Sequence, residues 1–391
     1  MLELEREDGV TERVAIEYID SYDYLRLREC VVALLKPLGG IESFVNRGDR
    51  VLLKPNMLMG KRPELAVTTH PALVRVVAEL VRDAGCDVLI GDSPGFGEFI
   101  SVAKQSGIQK AAEESGARLV PFEDTVEVQG GGTFRRIAVA RVYWEADKII
   151  NLPKLKTHEM MTMTCAVKNL FGIVVGAEKP AWHLKAGRSR ELFARLLLEI
   201  YLLKKPALNI VDGIVAMEGN GPSSGEPISL GVLLAGDNPI AIDVVAARLA
   251  GIPTDLLYVE LEAVRMGLPG SCWEDVELIG AKPVEFARRP FKLPKGSDVQ
   301  FGLPGFLKKG LRSHLMARPY ANSKQCVLCG VCRDLCPSSA ITIKNSALSI
   351  DYGRCIHCWC CRELCPHDAM EARKGLLLKV VSALDRAKHD R

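Results

Sequence analysis

Two cysteine repeats are the residues whose types and spacing most directly predict a chemistry. Each repeat has the spacing C-x-x-C-x-x-C-x-x-x-C-P, which is typical of a cubane iron–sulfur site. The repeats comprise Cys326, Cys329, Cys332 and Cys336, then Cys355, Cys358, Cys361 and Cys365. Tight turns over the first three cysteines aim three thiolates at one point. The cysteine before proline faces away along the next element, so the fourth ligand comes from elsewhere.

Zinc sites and disulfides are the alternative interpretations of these cysteines. Zinc usually pairs one C-x-x-C with a distant second pair, without a proline after each fourth cysteine. Disulfide frameworks are typical of short secreted chains with a signal peptide. The N-terminal stretch 1–8 is acidic and lacks the pattern of an export signal. The spacing therefore favours iron–sulfur clusters.

Residues 320–372 resemble bacterial-type two-cluster ferredoxins, in which the cysteine before proline binds the other cluster. The resemblance implies two [4Fe–4S] clusters, one bound by Cys326, Cys329, Cys332 and Cys365 and the other by Cys355, Cys358, Cys361 and Cys336. The second repeat has Trp359 and Cys360 where the first has glycine and valine. We interpret Cys360 as a buried filler residue, and Trp359 as a shield between the second cluster and water.

Composition sets the remaining bounds. With 391 residues, 48% hydrophobic and 25% charged, the chain fits two or three ordinary globular domains. The net charge of +3 gives no indication of a nucleic-acid partner. No apolar run reaches the length of a membrane-spanning helix, since candidates such as 196–203 are broken by Glu199. Because cubane thiolates also favour a reducing compartment, we expect a cytoplasmic protein without a membrane span.

Alternating strand and helix patterns over the first 280 or so residues predict an α/β domain with a doubly wound, mostly parallel sheet. The predicted strands lie at 14–19, 50–56, 87–90, 117–122, 148–152, 207–213 and 231–237. The predicted helices lie at 22–38, from a cap at Thr69 to 85, and at 100–115, 164–174, 190–205 and 239–250. A small α+β ferredoxin domain follows.

Four segments are predicted along the chain. They are an α/β domain (1–285), a basic arm rich in proline and glycine (286–319), the ferredoxin domain (320–372) and an amphipathic C-terminal helix (373–391). Between 286 and 325, nine Lys or Arg face one acid, Asp298. The arm is either a solvated linker or a docking site for an acidic redox partner. The C-terminal helix is expected to pack on the body of the protein.

Polar side chains collect where the predicted parallel strands end, which is where ligands bind in open α/β sheets. They are Lys54, Asn56, Asp92, Ser93, Asn151, Lys154, Lys156, His158, Asp212 and Asp237. Lys154, Lys156 and His158 alternate at period two, so in an extended segment they share one face. Three such groups suit an anionic substrate. Lys168 and Asn169 follow in an apolar segment, where a lysine needs a partner or a ligand.

Alternative roles exist for most of these residues. Strand-end lysines are often solvated, and the aspartates also suit turns. His158 has a reference pKa suited to a general acid. Cys165 is either a buried filler, a nucleophile or an additional ligand. The sequence contains no P-loop and only part of a dinucleotide fingerprint, at Gly95 and Gly97, so ATP and NAD sites lack support, while a flavin site remains open.

Four motifs resemble domain-of-unknown-function family 362, whose members are often fused to a two-cluster ferredoxin. They are Lys54-Pro-Asn56, Gly91-Asp-Ser-Pro94, the Leu152–His158 stretch with its Lys-x-Lys-Thr-His, and the Ala166–Gly172 stretch with its Val-Lys-Asn. The resemblance spans nearly the whole chain and implies an iron–sulfur protein. It places a candidate site on the Lys-x-Lys-Thr-His and Val-Lys-Asn stretches. The order of the motifs is also similar to that of the nickel-pincer lactate racemase domain.

The leading functional hypothesis is a ferredoxin-fed oxidoreductase, because an electron-transfer module is fused to a domain with a convergent polar site. Lys154, Lys156 and Lys168 would hold an anionic small molecule or a flavin, and His158 would supply a proton. Lys156 is predicted to be catalytic together with His158. Asn56, Asp92 and Asn169 would position the substrate, and Lys54 and Ser93 would also bind it. The alternatives are a non-catalytic electron carrier that docks a redox partner protein, and an accessory protein for cofactor or metal assembly that uses Cys165 and His158.

Overall fold

The protein consists of a large α/β domain and a small ferredoxin domain packed against it. The computed structural model describes residues 11–176, 178–280, 290–294 and 317–373. The strands of the α/β domain are β1 (Glu12–Tyr18), β2 (Arg50–Pro55), β3 (Asp87–Ile90), β4 (Arg118–Leu119), β5 (Thr125–Gln129), β6 (Arg136–Ala140), β7 (Lys148–Leu152), β8 (Lys154–His158), β9 (Thr162–Thr164), β10 (Leu208–Glu218), β11 (Glu226–Gly236) and β12 (Val276–Gly280).

Ten helices surround these strands in the described part of the α/β domain. They are α1 (Tyr24–Leu35), α2 (Pro71–Asp83), α3 (Phe99–Gln105), α4 (Ile108–Ser115), α5 (Arg141–Glu145), α6 (Ala166–Asn169), α7 (Glu178–Ala186), α8 (Arg190–Leu203), α9 (Pro239–Leu249) and α10 (Tyr258–Arg265). A 3₁₀ turn, Leu170–Ile173, continues α6.

The main sheet is mostly parallel and has the order β12-β1-β11-β10-β7-β2-β3-β4. Outside this order, β8 pairs with β10, and β9 pairs with β8. β11 runs antiparallel to both β1 and β10. β2 pairs in parallel with β3 on one side and β7 on the other, so the strand order reverses between β2 and β7. The predicted doubly wound α/β fold is confirmed, and the reversal creates the position where such sheets bind ligands.

Side chains of β2 show why both faces of the sheet are covered. Val51, Leu52 and Leu53 are all fully buried. Leu53 packs in the cluster that includes α1 and α2, whereas Leu52 packs in the cluster that includes α8. An uninterrupted apolar run is what a parallel strand buried on two faces requires.

Two details of the helices differ from the sequence prediction. The predicted helix at 100–115 is two helices, α3 and α4, because Gly107 between them has φ of +76°. Thr69 was expected to cap α2, but His70 is the cap, and its Nδ1 accepts from the Ala72 N–H. Thr69 instead donates to the Leu152 carbonyl and accepts from the Asn56 N–H. It thereby joins the ends of β2 and β7.

The described part of the ferredoxin domain contains two short two-stranded sheets and two one-turn helices. Its elements are β13 (Arg318–Ala321), α11 (Val331–Asp334), β14 (Ile341–Lys344), β15 (Ala347–Ile350), α12 (Cys360–Glu363) and β16 (Met370–Arg373). β13 pairs with β16 and β14 pairs with β15, both antiparallel. α11 and α12 occupy corresponding places in the two cysteine repeats.

The predicted arm and C-terminal helix fall mainly outside the described residues. Of the arm (286–319), the structure describes 290–294 and 317–319, and of the predicted helix only residue 373. In the first piece, Phe291 is buried and its N–H donates to Ala250, while Lys292 pairs with Glu218 and Glu226. This part of the arm packs on the α/β domain.

Candidate functional site

The site begins with a buried ion pair at the point where the strand order reverses. Lys54 is the last residue but one of β2, and Asp92 lies in the loop after β3. The Nζ atom of Lys54 is 2.8 Å from Asp92 Oδ1. Asp92 also accepts from the backbone N–H groups of Met57 and Ser93. Burial lowers the pKa of Lys54, and Asp92 opposes that shift. The pair fixes the loop that follows each of the two strands.

Four asparagine side chains form a hydrogen-bonded chain that runs from the carboxyl ends of β2 and β7 to the beginning of β10. Asn56 donates to Asn169 at 2.8 Å, Asn169 donates to Asn151 at 2.8 Å, and Asn151 donates to Asn209 at 2.9 Å. Asn56 Oδ1 also accepts from Lys156 Nζ at 2.9 Å. Because each amide is fixed by the next one, the position of the Lys156 ammonium is set by this chain.

The three alternating groups of β8 have three different partners. Lys154 forms an ion pair with Asp212 at 2.8 Å and donates to the Tyr22 hydroxyl. Lys156 donates to Asn56 and to the Val67 carbonyl. Burial, with Lys168 and Lys154 nearby, lowers the pKa of Lys156 far below its ordinary value. A buried lysine of this kind gives up its proton more readily than an exposed one.

His158, the last residue of β8, is buried and contacts the ferredoxin domain. Its Nδ1 accepts from the N–H groups of Met160 and Met161, so the proton of the neutral ring is on Nε2. Nε2 lies 2.9 Å from Glu363 Oε1 in α12. Burial lowers the pKa of His158 to about 4, which keeps the ring neutral. His158 thus holds a ferredoxin side chain.

Glu159, the next residue, binds Arg362 of α12 in an ion pair that is almost fully buried. The Ser223 hydroxyl also donates to the backbone carbonyl of Glu363 at 2.7 Å. These contacts seat α12 directly over the end of the α/β sheet. Buried charges are tolerated only when paired in this way.

A cavity of about 370 Å³ lies between the two domains. From the α/β domain it is lined by Asn56, Leu58, Asp92, Ser93, Pro94, Gly95, Lys156, Thr164, Lys168, Asn169, Phe171, Gly172, Gly176, Lys179, Pro180, His183 and Pro222. From the ferredoxin domain it is lined by Leu335, Cys360, Glu363 and Leu364. Its volume is in the range of small-molecule sites.

The predicted site residues divide into two groups. Asn56, Asp92, Ser93, Lys156, Lys168 and Asn169 line the cavity. Lys54, Lys154 and His158 lie outside the lining, each held by a carboxylate of Asp92, Asp212 or Glu363. The expectation that Lys154 and His158 face the substrate therefore does not match the geometry, because burial against a carboxylate directs both groups elsewhere.

Two cavity residues on α7 were not singled out from the sequence. Lys179 donates to the hydroxyl and the carbonyl of Ser93 and to the Pro94 carbonyl, and burial lowers its pKa to about 7. His183 stacks on Phe193, and within the described structure its Nδ1 is buried without a hydrogen-bond partner. Their i, i+4 spacing in a helical stretch was the available signal.

Cys165, the predicted alternative nucleophile, is buried at the start of α6, where its thiol is beside Asp243. Burial raises its pKa far above the ordinary value, which is unfavourable for a nucleophile. Asp243 accepts from the N–H groups of Ala166 and Val167. Across the described residues, no three His, Cys, Asp or Glu side chains converge on one metal ion.

The cysteines of the ferredoxin domain surround two small cavities. One is lined by Cys326, Cys329, Cys332 and Cys365, and the other by Cys336, Cys355, Cys358 and Cys361. Each set combines three cysteines of one repeat with the cysteine before proline of the other. Four thiols around one space are the donor set that a cubane cluster requires, so the residues fit the cofactor. Cys360 lines neither space and faces the interdomain cavity.

A sequence model of the family described as "Domain of unknown function (DUF362)" matches residues 51–248, which is half of the chain. A thylakoid-associated protein of Synechocystis sp. is 36% identical over 300 residues, covering 76% of this chain and 93% of that protein. The chain belongs to the DUF362 family. Residues 318–366 match a "4Fe-4S dicluster domain", so an iron–sulfur ferredoxin domain follows the family domain, as predicted. Such a domain supports electron transfer.

Two solved structures match part of the chain at low sequence identity. The lactate racemase apoprotein from Thermoanaerobacterium thermosaccharolyticum is 16% identical with a TM-score of 0.41, covering 65% of this chain and 60% of that chain. A Thermotoga maritima protein is 14% identical with a TM-score of 0.34, covering 54% and 55%. Each match spans less than two thirds of the other chain.

Within the described residues of this DUF362 protein, none of the helices combines the length and the hydrophobicity that a membrane-spanning helix needs.

Proposed function

We propose that this DUF362 protein is an iron–sulfur oxidoreductase that reduces an anionic small molecule, or a bound flavin, in the interdomain cavity. The observation that carries the proposal is the composition of the cavity wall. Lysines and asparagines from the α/β domain face Cys360 and Glu363 of the ferredoxin domain across one space. Cys360 is adjacent in sequence to Cys361, a predicted cluster ligand.

Three lysines would bind the anion. Lys156, Lys168 and Lys179 line the cavity together with two carboxylates, Asp92 and Glu363. Asp92 is offset by Lys54, whereas Glu363 lies against the neutral ring of His158 and keeps its charge, so three lysines face one uncompensated carboxylate. The lining therefore has cationic groups in excess, and an anionic ligand would balance them.

Proton supply would fall to Lys156. Its pKa is lowered well below the ordinary value by burial and by the neighbouring lysines, so its ammonium would release a proton more readily than an exposed lysine. His158 would act as a positioning residue, because its ring holds Glu363 and not the ligand. Lys54 and Lys154 would orient the loops and strands beneath the site through their ion pairs.

Two [4Fe–4S] clusters would supply single electrons. Each would be held by three cysteines of one repeat and by the cysteine before proline of the other repeat.

The two sets of cysteines differ in their exposure to solvent. Cys329 of the first repeat is exposed, and the neighbouring Val327 is 61% exposed, whereas Cys355, Cys358 and Cys361 are buried. A redox partner protein would therefore dock at the first repeat, and the second repeat would face the cavity.

The proposal can be tested with flavin mononucleotide as an anionic acceptor. Anaerobically purified protein is reduced with dithionite, freed of reductant and mixed with the flavin, while recovery of the cluster absorption is followed. We expect a rate that saturates with flavin concentration. Lys168→Ala should raise the half-saturating concentration about tenfold or more, because one charged contact is lost. Lys104→Ala, on the exposed side of α3, serves as the matched control.

A rate that is linear in flavin concentration and identical in Lys168→Ala and wild type would contradict the proposal. That result would favour a non-catalytic electron carrier, in which the cluster held beside exposed Cys329 would exchange electrons directly with any acceptor.

A further inference from the structure

The interdomain cavity has an apolar wall that an inorganic anion would leave without contact. Leu58 comes from the loop after β2, and Leu364 follows α12. A Cβ atom placed on Gly95 would lie 2.9 Å from Leu58 Cδ1 and 3.1 Å from Leu364 Cδ2. Leucines from both domains therefore converge at this one point. Phe171 also lines the cavity.

The apolar wall is a property of both cysteine repeats. Leu335 and Leu364 hold the same place in the two repeats, each directly before the cysteine that precedes proline. Both line the cavity, although one belongs to each repeat. The ferredoxin domain thus presents leucine side chains, and not only cysteines, to the ligand space.

Polar groups without partners define where a charged head would bind. The ammonium of Lys168 makes no hydrogen bond or close ion pair within the described part of the chain; burial lowers its pKa, and the Glu363 carboxylate opposes that shift from a longer distance. His183 has a buried Nδ1 that lacks a hydrogen-bond partner there. Lys156 is bonded only to neutral oxygens, those of Asn56 and Val67. Buried groups of this kind are costly until a ligand satisfies them.

We infer that the ligand is an organic anion with an apolar body, whose charged head binds at Lys168 and whose body lies along Leu58 and Leu364. The inference rests on the proposed function and specifies the chemical class of its ligand. A volume of about 370 Å³ fits a molecule much larger than phosphate or acetate. Burial of the body against leucine supplies affinity that charge alone would not give.

Straight-chain carboxylates test the inference directly. Binding of acetate, butanoate, hexanoate and octanoate to the anaerobic, cluster-loaded full chain is measured by titration calorimetry. We expect the dissociation constant to fall about threefold to fourfold for each added methylene group. Leu58→Ala should flatten this dependence, whereas Leu65→Ala, at a 39% exposed leucine outside the cavity lining, should retain it. Lys168→Gln should weaken every carboxylate by a similar factor.

Cluster absorption of each variant confirms that the chain is folded and loaded, and Leu58→Met provides a second variant that retains the apolar contact. Equal affinity for acetate and octanoate would overturn the apolar-body inference while leaving the anion site intact. Tight binding of octanoate that is unchanged in both Leu58→Ala and Lys168→Gln would also overturn it. Absence of binding by any carboxylate or by flavin mononucleotide would contradict the proposed function itself.

Discussion

Glu363 of the ferredoxin domain lies against His158 at the end of β8, with 2.9 Å between Glu363 Oε1 and His158 Nε2. The neighbouring residues repeat the arrangement, because Arg362 forms an ion pair with Glu159. In the first repeat the equivalent residues, Arg333 and Asp334, are exposed and form an ion pair with one another. The same sequence position is thus a docking contact in one repeat and a surface pair in the other.

Removing the charge of Glu159 should destabilise the domain interface. In Glu159→Gln, Arg362 would remain buried without its carboxylate, which costs about 3–5 kcal/mol in comparable buried pairs. The denaturant midpoint of the cluster absorption should fall, and hydrogen exchange in α12 should become faster.

Asp334→Asn is the matched control for this prediction, since it breaks the corresponding exposed pair. It should leave the denaturant midpoint almost unchanged, because solvent screens an exposed ion pair. Equal effects of the two substitutions would show that the Arg362–Glu159 pair has no special role in docking.

Anion affinity should fall as the pH rises through neutrality. Burial lowers the pKa of Lys179 to about 7, with Asp92 opposing the shift and Lys54 and Lys168 adding to it. Below that pH the ammonium is protonated and attracts an anion, and above it the attraction is lost. Affinity for flavin mononucleotide should therefore decrease by up to about tenfold per pH unit above neutrality.

Lys179→Arg separates this effect from the other lysines of the cavity, because an arginine stays charged throughout the range. Titrations at several pH values should show a much weaker decline in that variant. The same decline in Lys179→Arg and wild type would assign the titration to another group.

The sequence predicted the central strands of the sheet and most of the helices packed on them because their signals were local. The apolar run of β2 and the cysteine spacing are examples, since each depends on residues close in the chain. The sequence did not predict β5, β6, β9, β12, α5, α7 or α10. Partners across the fold were not predictable in this way. Lys154, Lys156 and His158 alternate as expected, yet their orientations were decided by Asp212, Asn56 and Glu363, which are distant in sequence.

Because the two cysteine repeats are so similar, the sequence did not indicate which of them contacts the α/β domain. Arg333-Asp334 and Arg362-Glu363 are nearly the same in sequence, so nothing local indicated which pair meets the α/β domain. The cavity depends on that choice, because its wall includes Glu363 and Leu364. A site formed between two domains can be predicted only when their packing is known.

Gly172→Ala should damage the ion pair beneath the cavity. A Cβ atom at Gly172 would overlap Asp92 Oδ1 and would lie 2.5 Å from Lys54 Nζ. Because both groups are buried and bonded, overpacking here should cost about 1–3 kcal/mol. Flavin binding should weaken as well, since Gly172 and Asp92 both line the cavity. Denaturation and titration measure the two effects.

Gly131→Ala provides the control for this substitution, because nothing lies within 4 Å of a Cβ atom at Gly131. Its stability and affinity should match those of the wild type. If Gly172→Ala behaves in the same way as Gly131→Ala, the Lys54–Asp92 pair does not support the site.

Crossed ligation should appear in the spectra of cysteine variants. Cys336 belongs to the first repeat but lines the space formed by Cys355, Cys358 and Cys361. Cys336→Ser should therefore perturb the same electron paramagnetic resonance signal as Cys358→Ser, and Cys329→Ser should perturb the other signal. Loss of one cluster would remove about half of an expected content of about eight irons per chain.

Cys360→Ser is the control for these variants, because Cys360 lines the interdomain cavity and neither of the cysteine-lined spaces. It should retain the full iron content and both signals. A Cys336→Ser variant that shares its signature with Cys329→Ser would mean that each repeat binds its own cluster. In that case the fourth ligand of the second repeat would be its own Cys365, and Cys336 would complete the first repeat.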